Sequence, residues 1–121
     1  MDPTAWPWPD SLDALTAAPA YHRLLFENDR VRVLEVRIAP GHFVPVHTHR
    51  WPSVVHTLSF GEFVRRDADG NVTFDSRQAT PASAIPEAQW LGPIPPHSVE
   101  NVGTTEIRLF SVELKDSSLE T

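Results

Sequence analysis

The stretch from Tyr21 to Lys115 is a series of short apolar runs, each ended by residues that favour turns. The strongest interruption is the sequence DADGN at residues 67–71, which separates two runs that each contain valine and phenylalanine. Runs of about four to eight residues with such boundaries are typical of β-strands. Twelve prolines in 121 residues, against five glycines, add to these breaks. We therefore predict an all-β fold, a barrel or sandwich of about eight to ten strands with one short helix.

The N-terminal segment has a different composition. Residues 1–9 contain three prolines interleaved with Trp6 and Trp8, which excludes a regular helix or a central strand and predicts an extended arm. This arm is expected to lie either on its own barrel or on a partner subunit. Asp10 or Ser11 is the expected N-cap of a short helix over residues 12–18.

Three segments follow from these boundaries: an arm with a short helix at residues 1–21, a barrel at 22–115 and a polar tail at 116–121. Proline-bearing residues 78–88 lack any period and are predicted to form a loop. Strands are predicted at residues 22–27, 31–39, 44–49, 53–60, 62–66, 72–75, 90–91, 98–102 and 106–115.

Two of the predicted strands break the alternation expected of a half-buried strand. In residues 31–38 the apolar positions change parity at Leu34, and in residues 107–114 they change parity at Phe110. A β-bulge in each strand is one explanation. Burial of both faces is the other, and it predicts a homodimer that covers the outer face.

Composition excludes several classes of protein. The absence of cysteine removes disulfides, thiol catalysis and cysteine-based zinc sites, and it fits a reducing cytoplasm. A net charge of −6 argues against a nucleic-acid partner. No apolar run approaches the ~20 residues of a membrane span, and residues 1–10 resemble no secretory signal, so we expect a cytoplasmic protein.

The most informative stretch for function is residues 41–49, with the sequence GHFVPVHTH. On a strand, His47 and His49 point to the same face, about 7 Å apart at Cα, and two imidazoles so placed can converge on one metal ion. Imidazole suits Fe, Ni, Cu and Zn alike. His42 has the other parity, and His22 opens a strand near the arm, so both are expected at the surface.

These histidines lie in a frame that resembles the two motifs of the cupin superfamily. Gly41, His47, His49 and Gly61 match the first motif, G-x5-H-x-H followed by a glutamate and a closing glycine. Within residues 93–101, PIPPHSVEN, the positions that match the second motif are His97 and Asn101. The sequences ENDRVR and ENVG are similar to those of small single-domain bacterial cupins, some of which are associated with β-alanine degradation.

The resemblance implies a cupin jelly-roll barrel with a metal or ligand pocket. His47, His49 and His97 would be the metal ligands, and Asn101 would brace a turn. The glutamate position of the family holds Val54, with Ser53 as the only other slot, and neither residue can be an anionic ligand. Either three histidines form a site with open positions, as in cysteine dioxygenase, or His56, which shares the parity of Val54, supplies a fourth nitrogen.

The expected function is that of a metal-binding small cupin, a non-haem metal-dependent dioxygenase of a small organic molecule. The cofactor would be one divalent transition metal, with Fe(II) favoured over Ni, Zn, Mn or Cu. A non-catalytic module that binds or senses a small ligand or a metal is the alternative. Arg50, Arg65 and Arg66 could attract an acidic substrate, and the residues expected to line the pocket are Phe43, Trp51, Val54 and Trp90.

Overall fold

Nine strands, one turn of α-helix and two 3₁₀ turns make up the computed structural model, which describes residues 6–78 and 86–115. The helix α1 spans Ala14–Ala17, and the 3₁₀ turns span Asp10–Leu12 and Ser76–Gln78. The strands are β1 His22–Glu27, β2 Val31–Ile38, β3 Phe43–His47, β4 Ser53–Ser59, β5 Phe63–Asp67, β6 Val72–Asp75, β7 Ala88–Leu91, β8 His97–Asn101 and β9 Ile107–Leu114.

The strands form two antiparallel sheets whose inner faces enclose the core. The larger sheet has the order β1-β2-β9-β4-β7 and the smaller one the order β3-β8-β5-β6. Val36, Ile38 and Ile107 of the first sheet pack against Val44 of the second. This arrangement confirms the predicted all-β jelly roll, in which the connections repeatedly cross from one sheet to the other.

The parity change in β2 and β9 comes from apolar residues on both faces. The β2–β9 register runs without a shift from the pair Val31 and Leu114 to the pair Ile38 and Ile107. The bulges lie in the neighbouring strands instead, where the register of β1 and of β4 shifts by one residue. The bulge explanation for β2 and β9 is therefore wrong.

The chain before β1 packs on the barrel. Trp6 and Trp8 are half-buried, and the Arg50 guanidinium lies 4.1 Å from the Trp6 ring, so residues 6–9 rest on their own chain. The predicted helix over residues 12–18 is shorter than expected. Its N-cap is Asp13, whose side chain accepts from the Leu15 N–H at 3.2 Å, rather than Asp10 or Ser11.

Residues 1–5 and 116–121, and therefore the start of the predicted arm and the tail, lie outside the described residues, as do residues 79–85 of the predicted loop. Ala88, the last residue of the predicted loop, belongs to β7. Among the described residues, no helix has the length and apolar character needed to cross a bilayer.

Asn101 braces the turn between β8 and β9, as the resemblance implied. Its amide Nδ2 donates to the carbonyl oxygens of Ile38 and Thr105, both at 2.9 Å, and its Oδ1 accepts from the Gly103 N–H. Gly61 lies directly against this turn, where a Cβ atom would come within 2.4 Å of the Thr105 oxygen. The closing glycine of the first motif is thus required by close backbone approach.

Candidate metal centre

A cavity of about 310 Å³ lies between the two sheets. Its walls are mostly aliphatic and aromatic, with the hydroxyl groups of Ser53, Thr57, Ser59 and Ser111 on the side of the larger sheet. Four histidines face this cavity, namely His22, His47, His49 and His97.

The four imidazoles converge from β1, β3, β8 and the segment that follows β3, where His49 lies. His47 and His97 are directly paired across β3 and β8, with ring centroids 4.6 Å apart. His22 begins β1 in the other sheet, and its ring lies 4.9 Å from that of His47 and 5.3 Å from that of His49. One nitrogen from each of His22, His47 and His49 lies within 4.8 Å of the others.

A bulge in β3 directs His47 into the cavity. Val44 pairs with Val99 and His47 pairs with His97, so β3 holds one more residue than β8 between these two pairs. The extra residue lies at Pro45-Val46, where proline has no N–H to lose from the ladder. Val44 and His47 therefore both face inward, three residues apart.

Each of the four imidazoles has its Nδ1 fixed by a hydrogen bond. The acceptor is the Pro45 carbonyl for His47 and the Pro95 carbonyl for His97, both at 2.8 Å. For His22 it is the Ala18 carbonyl at 3.0 Å. Because a carbonyl oxygen only accepts, Nδ1 carries the proton and Nε2 keeps its lone pair.

The fourth imidazole, His49, donates its Nδ1–H to a carboxylate. Glu113 Oε2 accepts this bond at 2.6 Å, and Glu113 Oε1 accepts from Arg32 Nε at 2.7 Å. The other two nitrogens of Arg32 pair with both oxygens of Asp13 at 2.9 Å. Glu113 is fully buried, so this chain of alternating charges links the N-cap of α1 to the cavity.

Burial keeps three of the imidazoles neutral. It lowers the pKa of His22 and that of His47 to about 3, with a further contribution from the neighbouring histidines. Burial also lowers the pKa of His97 to about 4. Neutral imidazole with a free Nε2 is the form that ligates a transition metal.

This donor set fits one divalent transition metal. Two nitrogens at about 2.1 Å from one ion lie at most about 4.2 Å apart. Because the nitrogens of His22, His47 and His49 lie within 4.8 Å of one another, only a small side-chain movement is needed for them to bind one ion. Metal-bound histidines almost always donate their other ring N–H to a carbonyl or carboxylate, as these four do.

Two of the predicted site residues face away from the cavity. Val54 and His56 are exposed on the outer face of β4, while Ser53, Val55 and Thr57 face the cavity. The shared parity of Val54 and His56 was correct, but the face assigned to both was wrong. His56 is therefore not placed to ligate, and the fourth imidazole comes from His22.

The predicted aromatic lining is mostly wrong as well. Phe43 and Trp90 are exposed to 47% and 59%, because Val44 on β3 and Gln89 and Leu91 on β7 take the inward positions. Trp51 does line the cavity, where it lies against the guanidinium of Arg32 at 5.0 Å. His42 is exposed as expected.

Sequence reasoning missed His22 and Glu113. His22 was expected at the surface but is 5% exposed, because β1 pairs with β2 so that His22 lies beside inward-facing Val36. No spacing in the sequence reveals that pairing. A signal for Glu113 did exist, since it has the parity of Ile107, Leu109 and Ser111, a charged residue on an inward face.

No protein-family model matches the chain, and no curated protein matches it. Solved structures do match. A cupin domain from Bordetella pertussis Tohama I is 24% identical, with a TM-score of 0.60, over 78% of this chain and 92% of that one. A cupin superfamily protein from Desulfitobacterium hafniense is 20% identical, with a TM-score of 0.51, over 78% and 76%.

A polyketide cyclase from Streptomyces resistomycificus is 21% identical, with a TM-score of 0.50, over 78% of this chain and 64% of that one. These likenesses establish the fold. The chain has the cupin fold, the double-stranded β-helix, with a histidine cluster in its barrel that can hold a metal ion.

Proposed function

We propose that this cavity is a mononuclear metal site in which His22, His47, His49 and His97 supply the ligands. The observation that carries the proposal is that all four imidazoles line one cavity and have Nδ1 held by a hydrogen bond, which leaves Nε2 free to ligate. Four neutral ligands leave the 2+ charge of an ion uncompensated and leave positions open for a substrate. Fe(II) is the favoured ion, with Ni, Zn, Mn and Cu as alternatives.

We propose further that the site is a dioxygenase acting on a small organic molecule. A redox-active ion held there would supply Lewis acidity and electron transfer to O2. The protein would hold the ligands in one tautomer, bind the apolar part of the substrate against Val36, Val44 and Phe63, and exclude bulk water. A cavity of about 310 Å³ is at the small end of ligand sites, which supports a small substrate.

A binding or sensing module in the cytoplasm is the second candidate. One observation favours it: among the described residues, no acidic side chain lines the cavity. Glu113 is nearby, but both of its oxygens already accept hydrogen bonds. A reaction that needs a protein base would therefore find none on the cavity wall.

The metal is tested by elemental analysis of protein purified without a chelator or a histidine tag. We expect about one divalent transition metal per chain, as for a preformed neutral histidine site. His22→Ala should lose most of its metal, and His56→Ala, the matched control on the outer face of β4, should keep it. A parent protein that holds no metal and takes up no Fe(II), Ni(II) or Zn(II) would end the proposal.

The reaction is tested by oxygen consumption of the Fe(II)-loaded protein with a panel of small acids and diketones. Uptake with one panel member, absent in His47→Ala, supports the dioxygenase. Binding of a panel member without any oxygen uptake supports the binding module instead.

A further inference from the structure

Arg65 is a cation inside the cavity. It lies on β5, where it pairs with Val99 of β8 and Phe74 of β6, and all three side chains line the cavity. Its guanidinium lies beside two neighbouring rings, 5.7 Å from the centre of Phe63 and 5.8 Å from that of Phe74. The charge is therefore held against the aromatic wall rather than extended into bulk water.

The guanidinium of Arg65 lacks a counter-ion among the described residues. Its Nε is buried, and no atom of residues 6–78 or 86–115 forms a hydrogen bond with it. Burial lowers its pKa, as expected for a cation without a compensating anion. A buried donor without a partner is rare in native proteins and calls for a specific explanation, such as a role in the site or a bound ion.

The same protein shows what a structural arginine looks like. Arg32 is buried at the end of the same barrel, and its guanidinium is satisfied by the carboxylates of Glu113 and Asp13. On the outer face of β5, the neighbouring Arg66 pairs with Glu100 at 3.0 Å. Apart from Arg65, every arginine that is not exposed has a carboxylate partner among the described residues.

Arg65 and the histidine cluster share one wall. In the β5–β8 register, Arg65 pairs with Val99 and Asp67 pairs with His97, so Arg65 and His97 are diagonal neighbours on the inner face. Diagonal neighbours are within reach of long side chains. A small ligand in this cavity can therefore contact the guanidinium and the histidine end together.

The charge of the cavity selects the ligand. Four imidazoles and a cationic guanidinium face it, and no acidic side chain does among the described residues. A carboxylate matches one guanidinium in charge and in geometry, through two parallel N–H···O bonds. The apolar walls then favour an organic body rather than an inorganic ion.

We propose that Arg65 is the anion-binding residue of this cavity and that the ligand is a small organic carboxylate whose charged group pairs with its guanidinium. As a substrate assignment the proposal rests on the proposed metal site, but the ion pair itself does not require the metal. It is therefore tested on the metal-free protein first.

The test is calorimetric titration of chelator-treated protein with acid and amide pairs of the same shape, benzoate with benzamide and hexanoate with hexanamide. The parent should prefer each acid over its amide. Arg65→Gln should lose about 10- to 100-fold in acid affinity, the range for a hydrogen bond to a charged group, and leave amide affinity unchanged. Arg66→Gln is the matched control and should behave as the parent.

Stability separates this role from a structural one. Because Arg65 is a poorly compensated charge, Arg65→Gln should unfold at the same urea concentration as the parent or a higher one. If that variant fails to fold, two measurements still test the proposal. One is the acid preference of the parent, and the other is acid binding by Arg65→Lys, which keeps the charge. Three results would overturn the proposal. The parent could bind acid and amide equally, it could bind neither, or it could bind phenylphosphonate more tightly than benzoate.

Metal content distinguishes failure of the Arg65 proposal from failure of the proposed metal site. Metal content should be the same in the parent, Arg65→Gln and Arg66→Gln. Metal binding without an acid preference would overturn the role of Arg65 alone. An acid preference that depends on Arg65 in a protein unable to hold metal would support this proposal and overturn the metal site.

Discussion

Glu113 has no free oxygen, since one oxygen accepts from His49 and the other from Arg32. In Glu113→Gln, an amide N–H₂ group would replace one of these acceptors and face another donor. The orientation of His49 would be lost, while the charge of Arg32 would remain paired with Asp13. We expect metal affinity to fall about 10- to 100-fold, and the buried donor left without an acceptor should lower the free energy of unfolding by about 1–3 kcal/mol.

Competition with a chromophoric chelator measures the affinity, and urea unfolding measures the stability. Glu106→Gln is the control, because Glu106 pairs with Arg37 on the exposed surface. Wild-type metal affinity in Glu113→Gln would show that His49 does not need its carboxylate partner.

Local spacing predicted half of the histidine cluster. His47 and His49 are two residues apart, so strand geometry predicts a common face, and both line the cavity although β3 ends at His47. The same rule correctly grouped Val54 with His56, but it cannot tell which of the two faces is inward. Predicting the inward position of His22 requires the register of β1 against β2, which is a long-range property of the fold.

At the scale of elements, the connection from β4 to β5 depends on Gly61. A methyl group there would lie 2.4 Å from the Thr105 oxygen and 2.9 Å from the Ile107 side chain. The Thr105 oxygen belongs to the backbone and cannot move away without distorting the turn. We therefore expect Gly61→Ala to lower the free energy of unfolding by about 1–3 kcal/mol, as overpacking does. Urea unfolding tests this, with Gly92→Ala as the control, since a Cβ there meets nothing within 4 Å.

Most strand boundaries could be predicted from the sequence, because turn residues mark them. Strand β6, for example, was predicted at residues 72–75 from the turn that precedes it and spans Val72–Asp75. The helix was predicted too long because its cap is decided elsewhere. Arg32 of β2 holds the Asp13 carboxylate, and Thr48 forms backbone hydrogen bonds with both Leu12 and Ala14, so tertiary contacts set where α1 begins.

For the whole molecule, the buried histidines predict an acid-sensitive metal-free form. Their pKa values are about 3 for His22 and His47 and about 4 for His97, against about 6.5 in an unfolded chain. Below about pH 6.5 the unfolded chain binds more protons, so stability falls as the pH falls towards 4. Above about pH 6.5 these histidines add no pH dependence to the free energy of unfolding.

Each histidine contributes about one proton, so the free energy of unfolding should fall by a few kcal/mol per pH unit between about pH 6 and 5. Urea unfolding of chelator-treated protein at a series of pH values measures the slope. His47→Ala should reduce this slope by the contribution of about one proton. A flat profile from pH 7 to 5 would contradict neutral burial of the cluster.

The outer face of the larger sheet carries an apolar row across all five strands. In register, Phe26 of β1 pairs with Val33, Val33 with Val112, Val112 with Val54, and Val54 with Trp90 of β7. Phe26 and Trp90 are 55% and 59% exposed in the single chain. A continuous exposed apolar patch is typical of an interaction site.

We predict that a second copy of the chain covers this row through a two-fold interface, giving a homodimer of about 27 kDa. Val54→Glu and Trp90→Glu each place a charge in the row and should give a monomer at tens of micromolar in light scattering. Val72→Glu is the matched control, because Val72 is 57% exposed but lies on β6 of the other sheet. A monomeric parent at that concentration would show that the row serves something other than self-association, while dissociation by all three variants would place the interface elsewhere.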